Sequence, residues 1–288
     1  MDVFELPQNL SQQVKSWKKQ QQRIAFVPTM GNLHAGHLSL VEKAKTVADI
    51  VVVSIFVNPM QFSAGEDFDA YPRTLDADKQ ALENIGVNAL FLPTNQTMYP
   101  HSVSLSTQVY VPEVSELLCG ASRPGHFRGV TTIVNKFFNI VQPDVAIFGQ
   151  KDFQQVAIIR QMVADLFMPV DIIALPTMRE KDGLAMSSRN QYLTEAEREK
   201  AGLIHQLMQE MSEKVKTGVE IASAELEAKS ILQASGFQPE YFSFRDPVTL
   251  QQLQHTQPDM VLLVAAKLGN TRLIDNWLFS CEVGRNSA

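Results

Sequence analysis

The sequence predicts an α/β fold, a parallel sheet with helices on its faces, followed by a smaller α+β domain beginning near residue 178. Three observations carry this. Short β-rich runs alternate with longer helical patterns through the first part of the chain, as successive strand–helix–strand units do. After about Thr177 the texture changes to a polar loop and long helical stretches, ending in apolar runs joined at Gly269–Asn270, a hairpin signature. The 288 residues, 45% hydrophobic and 19% charged, suffice for one large core or two modest ones without staples.

In chain order, "RIAFV" at 23–27 reads as the first strand and 38–48 as an amphipathic helix. "IVVVSIFV" at 50–57 is the second strand, followed by a polar loop over 58–73 and a helix over 75–85. "NALFLP" at 88–93 is a third strand, and an apolar helix follows "SRPGHFRG". "DVAIFG" at 144–149, the helix "FQQVAIIRQMVADLF" and the strand "VDIIALP" at 170–176 complete the first domain, 1–177, with right-handed crossovers expected. In the second domain, 178–288, "MREKDGLAMSSRNQYL" reads as a loop. "TEAEREKAGLIHQLMQEMSEKVKTG" reads as one long helix opened by a Thr194/Glu197 capping box. A helix over 223–234, the strand "EYFSFRD" and the hairpin "MVLLVAAKLGNTRLIDN" close the chain.

Composition excludes several classes. A formal charge of -6 argues against a general nucleic-acid surface. The longest strongly apolar run, "IVVVSIFV", is too short to span a bilayer, and "MDVFELPQNLSQQVKSW" lacks the apolar segment of a signal peptide. Cys119 and Cys281 are too few for a disulfide framework or a zinc site. There is no repeat or low-complexity tract. The expectation is a soluble, cytoplasmic protein that acts on small molecules.

Three motifs suggest what kind. In "PTMGNLHAGHLSL", His37 shares a helical face with Leu33, Leu40, Val41 and Ala44, so a core histidine is its ordinary explanation. Against that, the motif follows a strand and opens a helix, where unpaired N–H groups and the dipole favour anions. Open α/β sheets also bind ligands at the carboxyl ends of their strands. Two imidazoles there can donate to a phosphate or protonate an oxygen. Zinc lacks a carboxylate or thiolate at suitable spacing.

In "FGQKDFQQV", Asp152 and Gln155 have capping-box spacing, which leaves Lys151 at a strand–helix turn where it can meet phosphate oxygens. In "GLAMSSRN", Ser187, Ser188 and Arg189 are either a solvated loop or donors to a polyphosphate. The three together suit one nucleoside triphosphate. The loop at 56–78 adds Asn58 and Gln61, able to hold hydroxyls and a carboxylate, and "SRPGHFRGV" adds Arg123, His126 and Arg128 as ordinary loop cations or as partners of an anionic substrate.

Taken together, "PTMGNLHAGHLSL", "VSIFVNPMQF", "YPRTLDAD", "RPGHFRGVTTIVNKFFNI", "FGQKDFQQ", "PTMREKDGLAMSSRNQYL" and "LVAAKLGNTRLIDN" resemble the pantothenate synthetase (pantoate–β-alanine ligase) family over nearly the whole chain. The family belongs to the HxGH nucleotidyltransferases, so the resemblance implies a Rossmann-like, doubly wound N-terminal domain, a smaller C-terminal lid domain and a homodimer. It implies ATP-dependent condensation of pantoate with β-alanine through pantoyl adenylate, releasing AMP and pyrophosphate, with Mg2+ accompanying ATP. The alternative is another HxGH enzyme that releases a nucleotidylated product.

Carried over by position, the resemblance assigns ATP to Met30, Gly31, Asn32, Leu33, His34, Ala35, Gly36 and His37, with His37 as proton donor and His34 at the phosphates. Gly149, Gln150, Lys151 and Asp152, the backbone at Met178, and Met186, Ser187, Ser188 and Arg189 complete that set. Gln61 and Gln155 hold pantoate, Gln61 also lies near β-alanine, and Asn58, Tyr71 and Arg123 surround them. Ala77 interrupts the family's acidic pair, which leaves Asp78 as the candidate metal ligand.

Overall fold

A computed structural model describes residues 1–63 and 65–281. Two compact units result: Met1–Gln150 with Gln154–Pro176, and Lys151–Phe153 with the chain from Thr177 onward.

The first unit is a six-stranded parallel sheet built from β1 (Asp2–Phe4), β2 (Ile24–Thr29), β3 (Ile50–Ile55), β4 (Ala89–Phe91), β5 (Val145–Gly149) and β6 (Asp171–Leu175), in the order β1-β4-β3-β2-β5-β6. Its helices are α1 (Pro7–Lys19), α2 (Ala35–Val47), α3 (Leu75–Ile85), the single turns α4 (Asn95–Met98) and α5 (Cys119–Ser122), α6 (His126–Val141) and α7 (Phe153–Asp165), whose first residue folds with the second unit.

Strands β2 and β3 are almost uniformly buried because helices cover both faces. Ala25, Val27, Val51 and Val53 pack with Leu40, Val41 and Ala44 of α2 and Leu82 of α3. On the opposite face Phe26 meets Phe137 and Phe138 of α6 edge to face, at centroid distances of 5.6 and 6.5 Å. Burying such a side chain contributes about 1.5–3 kcal/mol.

From β2 the chain builds outward through β3 and β4, then returns to the other side of β2 with β5. The strand order therefore reverses between β2 and β5, which is where open α/β sheets bind ligands. The turns after those two adjacent strands carry the HxGH and GQKD motifs.

In the second unit α8 (Glu195–Ala201), α9 (Leu203–Lys216) and α10 (Ile221–Ala234) accompany the antiparallel sheet β7 (Phe237–Arg245), β8 (Asp259–Leu268) and β9 (Thr271–Ser280). Ile204, Leu207, Met208 and Met211 of α9 and Ala224, Ala228 and Leu232 of α10 pack on Phe242, Phe244, Leu262 and Val264.

Parallel order, the Thr194/Glu197 capping box and the hairpin at Gly269–Asn270 agree with the sequence reading. Some boundaries move. Helix α2 starts at Ala35 rather than 38, because His34 itself caps it. The long helix after Thr194 is two helices broken at Gly202, the poorest helix former after proline. Strand β1 and helix α1 went unread: three edge residues and a helix with a polar majority give weak periodic signals. No helix among the described residues is long and apolar enough to cross a membrane.

Candidate active site

The HxGH turn is organised by its own histidines. His34 is the N-cap of α2 in extended backbone, and its Nδ1 accepts the Gly36 N–H at 3.1 Å. His37 stands at the third helical position, and its Nδ1 faces the His34 N–H at 3.4 Å. This is a capping box with imidazoles in place of the usual hydroxyl and carboxylate, their rings 4.1 Å apart. With Nδ1 accepting in both rings, Nε2 is left on each as the N–H donor. Half-buried His37 is therefore not core filler. Both Nε2–H donors accompany the positive end of a helix dipole.

Asp78, the candidate metal ligand, has both carboxylate oxygens engaged by the HxGH turn. Only 3% exposed, its carboxylate accepts the backbone N–H of Asn32 at 2.9 Å and of Leu33 at 2.8 Å, together with the Thr74 hydroxyl at 3.2 Å. Both oxygens thus hold the HxGH turn from beneath. Gly31 sits between, at φ +81°, where a Cβ would lie 3.0 Å from Ile55 and 3.1 Å from the Asp78 carboxylate. Among the described residues no group of three or more His, Cys, Asp or Glu is arranged to hold a metal.

A second cluster surrounds Gln61, in a 3-10 turn over Pro59–Gln61. Its Nε2 donates to the Met30 sulfur at 3.0 Å, so the residue expected to hold pantoate touches the first residue of the ATP motif. Asn58 is engaged by the turn and its neighbours. It is 1% exposed, its Nδ2 donates to Gln61 Oε1 and the Gly129 carbonyl, and its Oδ1 accepts from Met60 N–H and the Tyr99 hydroxyl. Burial raises the Tyr99 pKa well above the usual phenol value, so the hydroxyl keeps the proton it donates to Asn58. At Gly129 a Cβ would lie 2.5 Å from the Met60 carbonyl, so α6 can approach the turn only through glycine.

Arg123 also reaches Gln61. Its guanidinium forks onto Glu66 at 2.6 and 2.7 Å, donates to His126 Nε2 at 3.0 Å and reaches the Gln61 carbonyl at 3.4 Å. Since Arg123 can only donate, His126 accepts on Nε2 and donates from Nδ1 to the same carbonyl, at 2.7 Å. Burial alone would raise the Glu66 pKa, but the Arg123 hydrogen bond and charge hold it below the ordinary range. Tyr71, 5% exposed, packs its ring edge-on to Phe62 at 6.1 Å in the same loop.

Gln155 lies half-buried in the first turn of α7, while its neighbour Gln154 is an anchor. Gln154 donates to the carbonyls of Val114 and Leu117 and accepts from Cys119 N–H. Asp152 ends a 3-10 turn over Gln150–Asp152 that runs directly into α7.

In the second unit, Lys151 is largely buried, with Nζ 3.9 Å from Asp152 Oδ1. Its carbonyl accepts the Asn276 side-chain N–H at 2.9 Å. The expected loop over 178–193 is a small hairpin: Met186 N–H donates to Met178 O at 2.9 Å, and Arg179 bridges Ala185. This joins the two nucleotide segments assigned from sequence. Ser187 then caps a 3-10 turn over Ser188–Tyr192 that carries Arg189. Arg179 anchors the hairpin through a fork onto Asp275 at 2.6 and 3.0 Å.

The pantoate–β-alanine ligase model matches residues 2–278. The chain belongs to the pantoate–β-alanine ligase family. A pantothenate synthetase of Shewanella woodyi is 52% identical over 273 residues, covering 95% of this chain and 97% of that protein. One of Shewanella loihica is 54% identical over 267 residues, covering 93% and 95%. Among solved structures, a pantothenate synthetase from Thermus thermophilus has a TM-score of 0.90 at 40% identity, over 96% of this chain and 99% of that one. The Francisella tularensis pantoate–β-alanine ligase, complexed with β-γ ATP and β-alanine, has a TM-score of 0.82 at 36% identity, covering 96% and 97%.

For a ligase of this family, sequence reading missed Glu66, Tyr99, Gln154, Asp275 and Asn276. One local signal was available for the imidazoles: a three-residue separation at a helix start is capping-box spacing.

Proposed function

We infer that this chain joins pantoate to β-alanine to give pantothenate, with ATP converted to AMP and pyrophosphate. A carboxylate and an amine do not condense in water because the carboxylate has no adequate leaving group. In the first half-reaction a pantoate carboxylate oxygen attacks the ATP α-phosphorus and pyrophosphate departs. In the second, the β-alanine amine attacks the acyl carbon, the carbon–oxygen bond to AMP breaks, and the amine gives up a proton.

One observation carries the reading: His34 and His37, locked as Nε2–H donors at a helix N-terminus after the strand where the sheet order reverses. Donors aimed at developing phosphate charge lower the barrier without reorganising at the moment of reaction. His37 acts as proton donor and His34 binds phosphate oxygens. The backbone of Met30–His37, Gly149–Asp152 and Met178 cradles the nucleotide, Lys151 and Arg189 neutralise phosphate charge, and Met186, Ser187 and Ser188 complete the contacts. Gln61 and Gln155 hold pantoate, Gln61 also serves β-alanine, and Asn58, Tyr71 and Arg123 surround that pocket. The segment over 178–288 acts as a lid. Mg2+ enters as part of the ATP substrate, ligated by phosphates and water. The working form is a homodimer in the cytoplasm.

The test is pyrophosphate release from Mg2+, ATP and pantoate, followed by AMP release on adding β-alanine. A stable nucleotidylated product that β-alanine does not discharge would overturn this reading in favour of another HxGH nucleotidyltransferase.

A further inference from the structure

Strand β9 carries two adjacent buried polar residues, Asp275 and Asn276, 5% and 4% exposed, in a position where apolar side chains would be expected. Neighbouring strand residues point to opposite faces. Asp275 takes the Arg179 fork, while Asn276 donates from Nδ2 to the Lys151 carbonyl. The two are also linked to each other. Asn276 N–H donates to Asp275 Oδ1 at 2.8 Å, and the Asn276 carbonyl accepts from Arg179 at 3.3 Å. Arg179 in turn holds the Gly183 carbonyl at 2.9 Å. One polar node thus grips the Lys151 turn on one side and the base of the hairpin before Ser187–Arg189 on the other.

Burying a charged pair and an amide in a small sheet is a poor route to stability, since apolar residues of similar volume do as well or better. The gain is positional. A lysine side chain has four rotatable bonds, and its ammonium can be preorganised only if the backbone carrying it stays still.

We propose that Asn276 is a positioning residue for Lys151, setting the carbonyl from which that side chain reaches ATP. The proposal rests on the reading that Lys151 meets a phosphate of ATP. Asn276 touches no reacting atom. Its effect runs through Lys151, and a small misplacement of such a group can cost up to about 10²-fold in rate.

The experiment is a double-mutant cycle on single-turnover pantoyl-adenylate formation in the full chain, using Lys151→Ala, Asn276→Ala, the isosteric Asn276→Asp and each double variant. Both Asn276 variants should form adenylate about tenfold more slowly with KM for pantoate unchanged. Neither should slow the reaction further once Lys151 is alanine. The aspartate variant matters because it keeps shape and volume while removing the donor, and it serves where the alanine variant does not fold. Normal rates in both Asn276 variants beside a depressed Lys151→Ala would overturn the proposal alone. So would losses that simply multiply in the double variants. A normal rate in Lys151→Ala would sink the reading of Lys151 and this proposal with it.

Discussion

The HxGH turn and the Lys151–hairpin region are both polar, half-buried and assigned to phosphate by the proposed reaction, yet they are built by opposite strategies. In the HxGH turn the functional side chains position each other: His34 and His37 are three residues apart and cap the helix they sit on. The distant contribution is Asp78, which binds backbone N–H groups and not the imidazoles. In the other region the positioning comes from afar, with Arg179 and Asp275 separated by 96 residues and Asn276 and Lys151 by 125. A self-capping turn is fixed as soon as its helix forms. A turn held by a remote strand is correct only when its unit has folded, so local damage should spread differently in the two.

The largest expected effect is on chemistry. Replacing His37 or Lys151 with alanine should slow single-turnover pantoyl-adenylate formation by about 10²–10³, as loss of one preorganised charge-stabilising group does elsewhere. Near-normal rates in both would remove the premise that the two regions serve one nucleotide.

Next in size is Arg179→Ala, which leaves the 4%-exposed Asp275 carboxylate without its fork. Breaking such a pair costs about 3 kcal/mol, visible as a lower urea midpoint. Replacing both partners with leucine should recover most of that stability but not the adenylation rate. If stability and activity return together, the pair is packing and no more.

Asp78→Ala should be milder, about 1–3 kcal/mol, the penalty of leaving buried backbone donors unmet. Its informative readout is the Mg2+ dependence of pyrophosphate release, expected to keep its midpoint. A midpoint moved upward would restore Asp78 to the metal.

The smallest effect concerns His205, in α9 and beside Gly183 in the hairpin's turn. Burial first, then the positive charge of Arg179, lower its pKa from 6.5, with Asp275 opposing. Below pH 6.5 the unfolded chain takes up a proton on this residue that the folded chain resists. The unfolded state then binds more protons, so this contribution to stability is complete above pH 6.5 and declines as pH falls toward the depressed folded value. His205→Gln should flatten that slope in unfolding midpoints measured between about pH 7 and 5. An unchanged slope would assign it to other groups.

Much of the molecule was legible beforehand because its signals are local. Strand–helix alternation, the Thr194 capping box and the Gly269–Asn270 turn each follow from residues within one turn or strand of each other. The ligase family was legible from motifs in a fixed order. What stayed illegible shares one cause: Asn58, Tyr71, Arg123 and Asp78 are residue types that hold ligands, and nothing nearby in the chain says that Tyr99, Phe62, Glu66 and the Asn32–Leu33 amides engage them as well.

Residue types and their spacing determined by themselves which chemistry the chain carries and roughly where its strands and helices fall, since propensity, capping and periodicity act over a few bonds. Tertiary structure alone decided which polar side chains are occupied. A buried donor or acceptor must find a partner wherever the fold supplies one, and that partner can stand about a hundred residues away.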